Sequence, residues 1–426
     1  MKVARRDLLR VGALSWMAGL WPGRAGAASY RVGIARGLDP YGAAMRAIDA
    51  AAEWPGARIA GRTVIIKPNL VAPRSPDSGA VTDPEVVRAL VDRALRDGAA
   101  AVWIVEASPR GAHFGGCGYD FFAKYDVHGR VRLVDLQLEP TSLVPLARPL
   151  AYPAVHLADV LLRDDVVFIS AAKLKTHGDA VMSLSMKNLF GLPAVDKYLS
   201  NLPAGRFAMH DRGVHLTIPD LARLRPIDFA VVDGVWAMEG NGPLSGTPVR
   251  LGVVLAGANA VAVDRVSTAA AGVSQRAVRH LDYAAAVGLG PADLDAIVVA
   301  GDALPRRPLQ MPTLPPFVEY PKVFPASFNP SRGQKTVVAP WYSEPSLRRL
   351  EIRRLADDVP DVQVIRTLRP WAVRGVGYEI ATWDGRADDG SLAAPGLYAA
   401  HVRAYHTNAE GRPLDGIGWI AVQEAS

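Results

Sequence analysis

Three short lysine-bearing stretches stand out in a chain whose other cations are mostly arginine: Lys67-Pro68-Asn69, Lys173-Leu174-Lys175-Thr176-His177 and Lys187-Asn188. Only nine of the 48 basic residues are lysine, and four of the nine fall here, which argues against simple surface solubilisation. An ammonium on a flexible stem makes a point contact with phosphate, carboxylate or a reacting carbonyl, and burial lowers its pKa readily. The expected chemistry is capture of a small anionic ligand by Lys67, Lys173, Lys175 and Lys187, with the amides of Asn69 and Asn188 orienting it. Asn188 is equally read as a cap for local backbone.

The densest stretch, residues 173–191, reads KLKTHGDAVMSLSMKNLFG. Extended backbone places Lys173, Lys175 and His177 on one side, because side chains alternate with period two. Two ammonium groups about 7 Å apart repel by about 2 kcal/mol at an effective dielectric near 20, so in a cleft they call for an anion. In open water the same pair is a solvated stripe. His177, beside Gly178 and Asp179, fits either a general acid/base or a metal ligand, and Lys175 fits proton transfer. Further on, Asp233-Gly234, MEGNGP at residues 238–243, and Asp264 supply carboxylates around a glycine-rich loop. Asp233 and Glu239 are read as ligands for a hard divalent cation, or Glu239 as a base, although GNGP also reads as an ordinary turn. His210 and His215 are further candidate ligands, at a spacing that matches neither a zincin helix nor a zinc finger.

These residues need elements to position them. Branched apolar runs at residues 63–66, 101–105, 166–169, 229–232, 251–255 and 296–299 read as strands of a sheet covered on both faces. Residues 84–98 read as a helix, with Asp83 as cap, Pro84 in the first turn, apolar residues at helical spacing and Gly98 as the stop. Strand and helix in alternation predict an α/β core with a largely parallel sheet. Lys67 and Asn69, Glu106 and Ser108, Ser170 and Lys173, and Asp233 each follow one of these strands. Open α/β sheets bind ligands at the carboxyl ends of their strands, so one composite pocket is expected there.

The N-terminus reads as an export signal of the twin-arginine kind: Arg5-Arg6-Asp7-Leu8-Leu9, an apolar run over residues 11–20, then Ala25-Gly26-Ala27. The apolar run is shorter than the about 20 residues a membrane span needs, so cleavage is favoured over retention as an anchor. A periplasmic or extracellular location follows, with the twin-arginine translocase as a partner during export. The leader carries five cationic side chains and one acidic one, so its removal lowers the net charge from +6 to +2. That withdraws the main support for nucleic-acid binding, which needs a basic stripe with stacking aromatics. One cysteine, Cys117, excludes an intramolecular disulfide and a protein-bound iron–sulfur cluster. Its glycine-rich setting reads as a small residue in a loop or as a reactive thiol.

The proline-rich stretch at residues 304–328 blocks helix and central strand, and is read as an extended linker or a strap along a surface. The expected division is therefore a signal at residues 1–27, an α/β core at 28–304, a linker at 305–328 and a β-rich unit at 329–426. Short strands at residues 336–338, 350–354, 363–365 and 398–405, separated by turns, predict an all-β sandwich. Residues beyond these, through Glu410-Gly411 and Trp419-Ile420, read as an added hairpin.

Taken in order, IIKPN at residues 65–69, TDPEVVRALV at 82–91, KLKTH at 173–177, MKNLFG at 186–191 and VDGVWAMEGNGP at 232–243 resemble the prokaryotic domain-of-unknown-function family numbered 362. The resemblance covers about residues 30–300 and implies the domain and its motif residues, not a reaction. Some members are fused to iron–sulfur domains; the cysteines for that are missing here. Trp383-Asp384-Gly385, Asp389-Gly390 and Pro395-Gly396-Leu397-Tyr398 resemble the immunoglobulin-like domain of the flagellar hook-cap protein family. Such modules act as spacers or docking surfaces, so an envelope protein partner is expected there. The combined expectation is an exported enzyme acting on a small anionic ligand, with a divalent metal as candidate cofactor. Its rival is a non-catalytic ligand-binding or assembly factor of the cell envelope.

Overall fold

The computed structural model describes residues 30–107, 113–198, 207–210, 213–305, 307–312, 318–342, 345–354, 363–375, 377–406 and 414–423. The expected signal and Ser108 lie outside them. The first part of the chain runs β1 (Tyr30–Arg36), α1 (Pro40–Ala51), α2 (Gly56–Ile59), β2 (Thr63–Pro68), α3 (Pro84–Arg96), β3 (Ala101–Glu106), β4 (Val131–Asp135), β5 (Thr141–Pro145) and β6 (Ala154–Ala158). It continues with β7 (Val166–His177), β8 (Val181–Met182), α4 (Val214–Leu224), β9 (Phe229–Glu239), β10 (Thr247–Gly257), α5 (Ala260–Ala270), α6 (Arg279–Ala286) and β11 (Ile297–Gly301).

Nine strands form one sheet in the order β11-β1-β10-β9-β7-β2-β3-β4, with β8 added to β7. Every pairing along that path is parallel except those of β10, which runs against both β1 and β9. The mixed α/β core with a mostly parallel sheet therefore holds, and β10 is the departure from it. β5 and β6 form a separate hairpin.

Period-two side chains divide the core in two. Ile65, Phe168, Ala230 and Val232 belong to the cluster that includes residues of α4, α5 and α6. Val64, Ile66, Val167, Ile169 and Val231 belong to the one that includes residues of α1 and α3. A sheet covered on both faces needs apolar side chains on both, which is why these strands read as continuous rather than alternating runs. Helix α3 starts where Asp83 accepts a hydrogen bond from Glu85 N at 2.9 Å, and it buries Val86, Val87, Leu90, Val91 and Ala94. Gly98, at φ +81°, turns the chain out of it.

The second part comprises β12 (Val318–Phe324), β13 (Ser327–Phe328), β14 (Thr336–Tyr342), β15 (Ser346–Arg354), β16 (Gln363–Arg374), β17 (Gly377–Tyr378), β18 (Ala381–Trp383), β19 (Gly396–His406) and β20 (Leu414–Val422). One sheet runs β12-β14-β17 with β18 also on β14, and the other runs β13-β20-β19-β15-β16. Val338, Tyr342 and Trp383 of the first share a core with Leu350, Ile352, Val402 and Ile420 of the second. β20 pairs antiparallel with β19, as the expected hairpin requires.

The proline-rich stretch divides differently from expectation. Near residue 309 it is a strap on the α/β core: Leu309 is buried there, and Leu309 N donates to Ala271 O at 2.9 Å. Residues 318–324 instead form β12, at the edge of a C-terminal sheet. Its register shifts between Glu319 and Lys322, around Pro321. An edge position with an irregular ladder is where a strand tolerates proline, because the missing N–H has no partner to lose.

The contact between β1 and α1 is close enough to test the fold. A Cβ on Gly33 would lie 2.1 Å from Ala47 O, which is helix backbone and cannot swing aside. Gly33→Ala is expected to lower unfolding stability by about 3 kcal/mol, read by urea denaturation of the folded chain.

Candidate functional site

Four strands bring charge to their carboxyl ends in the sheet interior. Lys67 at the end of β2 pairs in register with Ser170 of β7, and Lys173 of β7 with Asp233 of β9. Lys67, Lys173 and Lys175 are each 1% exposed, so their ammonium groups need internal partners. Lys67 Nζ meets Glu106 Oε1 of β3 at 2.8 Å and donates to Asn188 Oδ1 at 3.2 Å and Pro68 O at 2.9 Å. Glu106 also accepts from Leu70 N and Ala107 N, each at 2.9 Å. Lys173 Nζ meets Asp233 Oδ2 at 2.7 Å, and Asp233 accepts from Asp83 N at 2.8 Å and Val235 N at 3.0 Å.

Lys175 is different. Its Nζ donates to Asn69 Oδ1 at 2.8 Å and Ala80 O at 2.6 Å, two neutral oxygens, and meets no carboxylate among the described residues. Burial, with Lys187 and Lys173 nearby, holds its pKa well below the usual lysine value. The amides join these groups. Asn69 Nδ2 donates to Asn188 Oδ1 at 3.2 Å, and Asn188 Nδ2 donates to Lys67 O at 2.9 Å and Ser170 Oγ at 3.1 Å. Asn188 is thus a bridge between β2 and β7 rather than a cap for its own loop.

Asp264 on α5 positions the segment carrying Lys187 and Asn188. Its carboxylate accepts from Ser185 N at 2.9 Å and Met186 N at 2.8 Å, and also from the Ser185 hydroxyl. Burial pushes its pKa up to about 7. Just beyond, Gly191 lies against the first ion pair: a Cβ there would fall 2.4 Å from Lys67 Nζ and 2.7 Å from Glu106 Oε1. Lys187 is half-buried at this edge, with Nζ 3.7 Å from the centre of the Phe190 ring.

The structure reassigns several expected ligands. Lys67 and Lys173 were expected to meet a free anion; each meets a protein carboxylate here, Glu106 and Asp233 respectively. Glu239 lies six positions beyond Asp233 on β9, past the irregular stretch where five residues of β9 run beside two of β7. It accepts from Gln310 N at 3.0 Å and from Arg307 Nη2 at 3.5 Å, so Asp233 and Glu239 are engaged by separate partners. His215 turns away from His210 and stacks on His280, Nδ1 to Nδ1 at 3.1 Å, with burial lowering its pKa to about 3.

His177, Asp179 and His210 instead converge, with one ligand atom of each within 4.8 Å of the others. Three such donors suit a metal with an open position. However, His177 Nδ1 accepts from Asp179 N at 3.0 Å and Ala180 N at 3.3 Å. In the neutral ring that leaves the proton on Nε2, whereas a metal-bound histidine donates through its other nitrogen. The arrangement suits a proton donor better than a ligand.

Two contributors were not assigned from sequence. Glu106 was recognisable as a carboxylate at a strand end, but its lysine lies 39 positions earlier. Asp83 reads as a helix cap and is one, yet it also packs beside Asp233. Burial, then the Asp233 charge, raises its pKa to about 6.

The chain meets known proteins through this region. Residues 64–269 match the family model of DUF362, a domain of unknown function, and that span holds every residue of the charge cluster. Over 226 residues the chain is 29% identical to the thylakoid-associated protein sll1697 of Synechocystis sp., covering 49% of this chain. The aligned part spans 62% of that relative's length. Two solved structures overlap it weakly. One is the Pseudomonas fluorescens alkylpurine DNA glycosylase AlkC bound to abasic-site DNA, at TM-score 0.19 and 16% identity over 26% of this chain and 30% of that one. The other is the β-glucosidase EmGH1 of Erythrobacter marinus, at TM-score 0.17 and 10% identity over 92% of this chain and 49% of that one. Neither value establishes a shared fold.

Asp83 gives a test of the cluster's electrostatics. Between its unfolded value of 3.8 and its folded value of about 6, the native chain holds the extra proton. Wild-type stability relative to Asp83→Asn should therefore fall as pH rises through that window, by on the order of 2 kcal/mol, in parallel denaturant titrations. Asn keeps the helix cap, so a flat difference across the window removes the raised pKa.

Proposed function

We propose that the chain is an exported enzyme that moves a proton on a small anionic carbonyl compound at the carboxyl ends of β2, β7 and β9. The observation that carries this reading is Lys175, a buried amine hydrogen-bonded to two neutral oxygens and, among the described residues, to no carboxylate. Such a group is a candidate base, because burial disfavours its ammonium form and lowers its pKa. Lys187, half-buried beside the cluster, supplies the contact for the ligand's anionic end, Asn69 orients it, and His177 returns a proton through Nε2. Lys67 and Lys173 serve the same chemistry indirectly: their ion pairs fix the strands from which Lys175 and Asn69 project. The C-terminal sheets, in this reading, are an immunoglobulin-like sandwich that docks the enzyme to a partner in the envelope.

Proton abstraction leaves a trace even without a known product. In deuterium oxide the wild type should exchange the protons beside the carbonyl of pyruvate or oxaloacetate, followed by proton NMR. Lys175→Met and Lys175→Arg should both lose about 100-fold or more of that rate, since arginine keeps the charge but cannot act as a base. Equal exchange in wild type and variants would remove Lys175 from the chemistry. Export has its own test: replacing Arg5 and Arg6 by lysine should leave the chain in the cytoplasm on fractionation, whereas unchanged export would discard the twin-arginine route.

A further inference from the structure

A second cationic site occupies the opposite edge of the sheet. A cavity of about 330 Å³ opens where β2, β7 and β9 begin, with Arg58, Arg62, Arg163, Arg225, Asp164 and Asp228 among its walls. It is separated from the lysine cluster by the strand interiors, about 15 Å of chain at normal rise. Four arginines against two aspartates leave the lining with excess positive charge.

The internal pairing is uneven. Arg163 is bound by Asp165, outside the lining, through two hydrogen bonds of 2.8 and 2.6 Å. Asp228 holds Arg58 at 2.5 Å, and its other oxygen accepts from Phe168 N at 2.8 Å. Arg225 comes no closer to that oxygen than 3.8 Å, beyond hydrogen-bonding distance. Its Nε and Nη2 are buried without an acceptor, while its guanidinium rests 5.1 Å from the centre of the Phe168 ring. Burial of Arg225, with Arg58 beside it, lowers its pKa. Arg62, exposed at the mouth, has no ion-pair partner among the described residues.

A guanidinium removed from water without a hydrogen-bonded counter-charge is costly, and its planar fork matches phosphate oxygens. The geometry points to this cavity as a binding site for a small phosphate compound, held between Arg225 inside and Arg62 at the mouth. The volume suits a phosphate or pyrophosphate group with a short attachment. The site stands apart from the proton-transfer reading and survives its failure.

Calorimetric titration of the full chain with sodium pyrophosphate at low salt tests it. Saturable binding is expected, weakened about tenfold by Arg62→Ser and by Arg225→Gln and unchanged by Lys187→Met. Arg62 is exposed, so Arg62→Ser keeps the test valid even where Arg225→Gln impairs folding. The proposal is overturned by absence of saturable binding, by equal affinity in wild type and Arg62→Ser, or by loss confined to Lys187→Met, which assigns the anion to the lysine edge.

Discussion

Charge inside the sheet is the constraint on which this structure turns. Two lysines and two carboxylates sit among buried strands, and each carboxylate is held by backbone N–H groups as well as by its lysine. Leaving either partner alone would strand a buried charge at a cost of about 3–5 kcal/mol. The strands β2, β3, β7 and β9 are therefore locked by buried ion pairs as well as apolar contacts at their carboxyl ends. Lys175 stands in the same layer without that compensation. The fold has paired two of three neighbouring lysines with carboxylates and set the third on neutral oxygens.

The sequence revealed the parts of the site more readily than their partners. Continuous branched runs gave the strands, because both sheet faces are buried and both demand apolar side chains. The lysine clusters were conspicuous against an arginine background, and the capped, periodic stretch after Asp83 read as the helix it is. Pairing was another matter. Lys67 meets Glu106 and Lys173 meets Asp233 only because parallel strands from distant parts of the chain lie side by side, a relation that no local pattern encodes. Asp233 and Glu239 looked like companions in a glycine-rich motif, but Asp233 meets Lys173 of the neighbouring strand and Glu239 meets the strap at Gln310.

The same limitation explains the histidines and the prolines. His210 and His215 are near in sequence and end in different environments, one beside His177 and the other stacked on His280. Proline density marked residues 304–328 as an extended linker or a strap, and near residue 309 the chain lies along the α/β core. The same density concealed β12, because an edge strand relaxes the rule that excludes proline from a sheet. β10 was legible as a strand but not in direction, since an apolar run has no polarity of its own.

The strap has a mechanical consequence. Gln310 bonds to both ends of a short stretch of the rim, its N–H to the Glu239 carboxylate and its carbonyl to Gly240 N at 2.7 Å. Gly242 N–H in turn reaches Gly240 O, and Gly178 N–H reaches Gly242 O, next to His177. Among the described residues, tension along the strap would thus pass through Gln310 to the loop beside the imidazole, at the carboxyl ends of the strands.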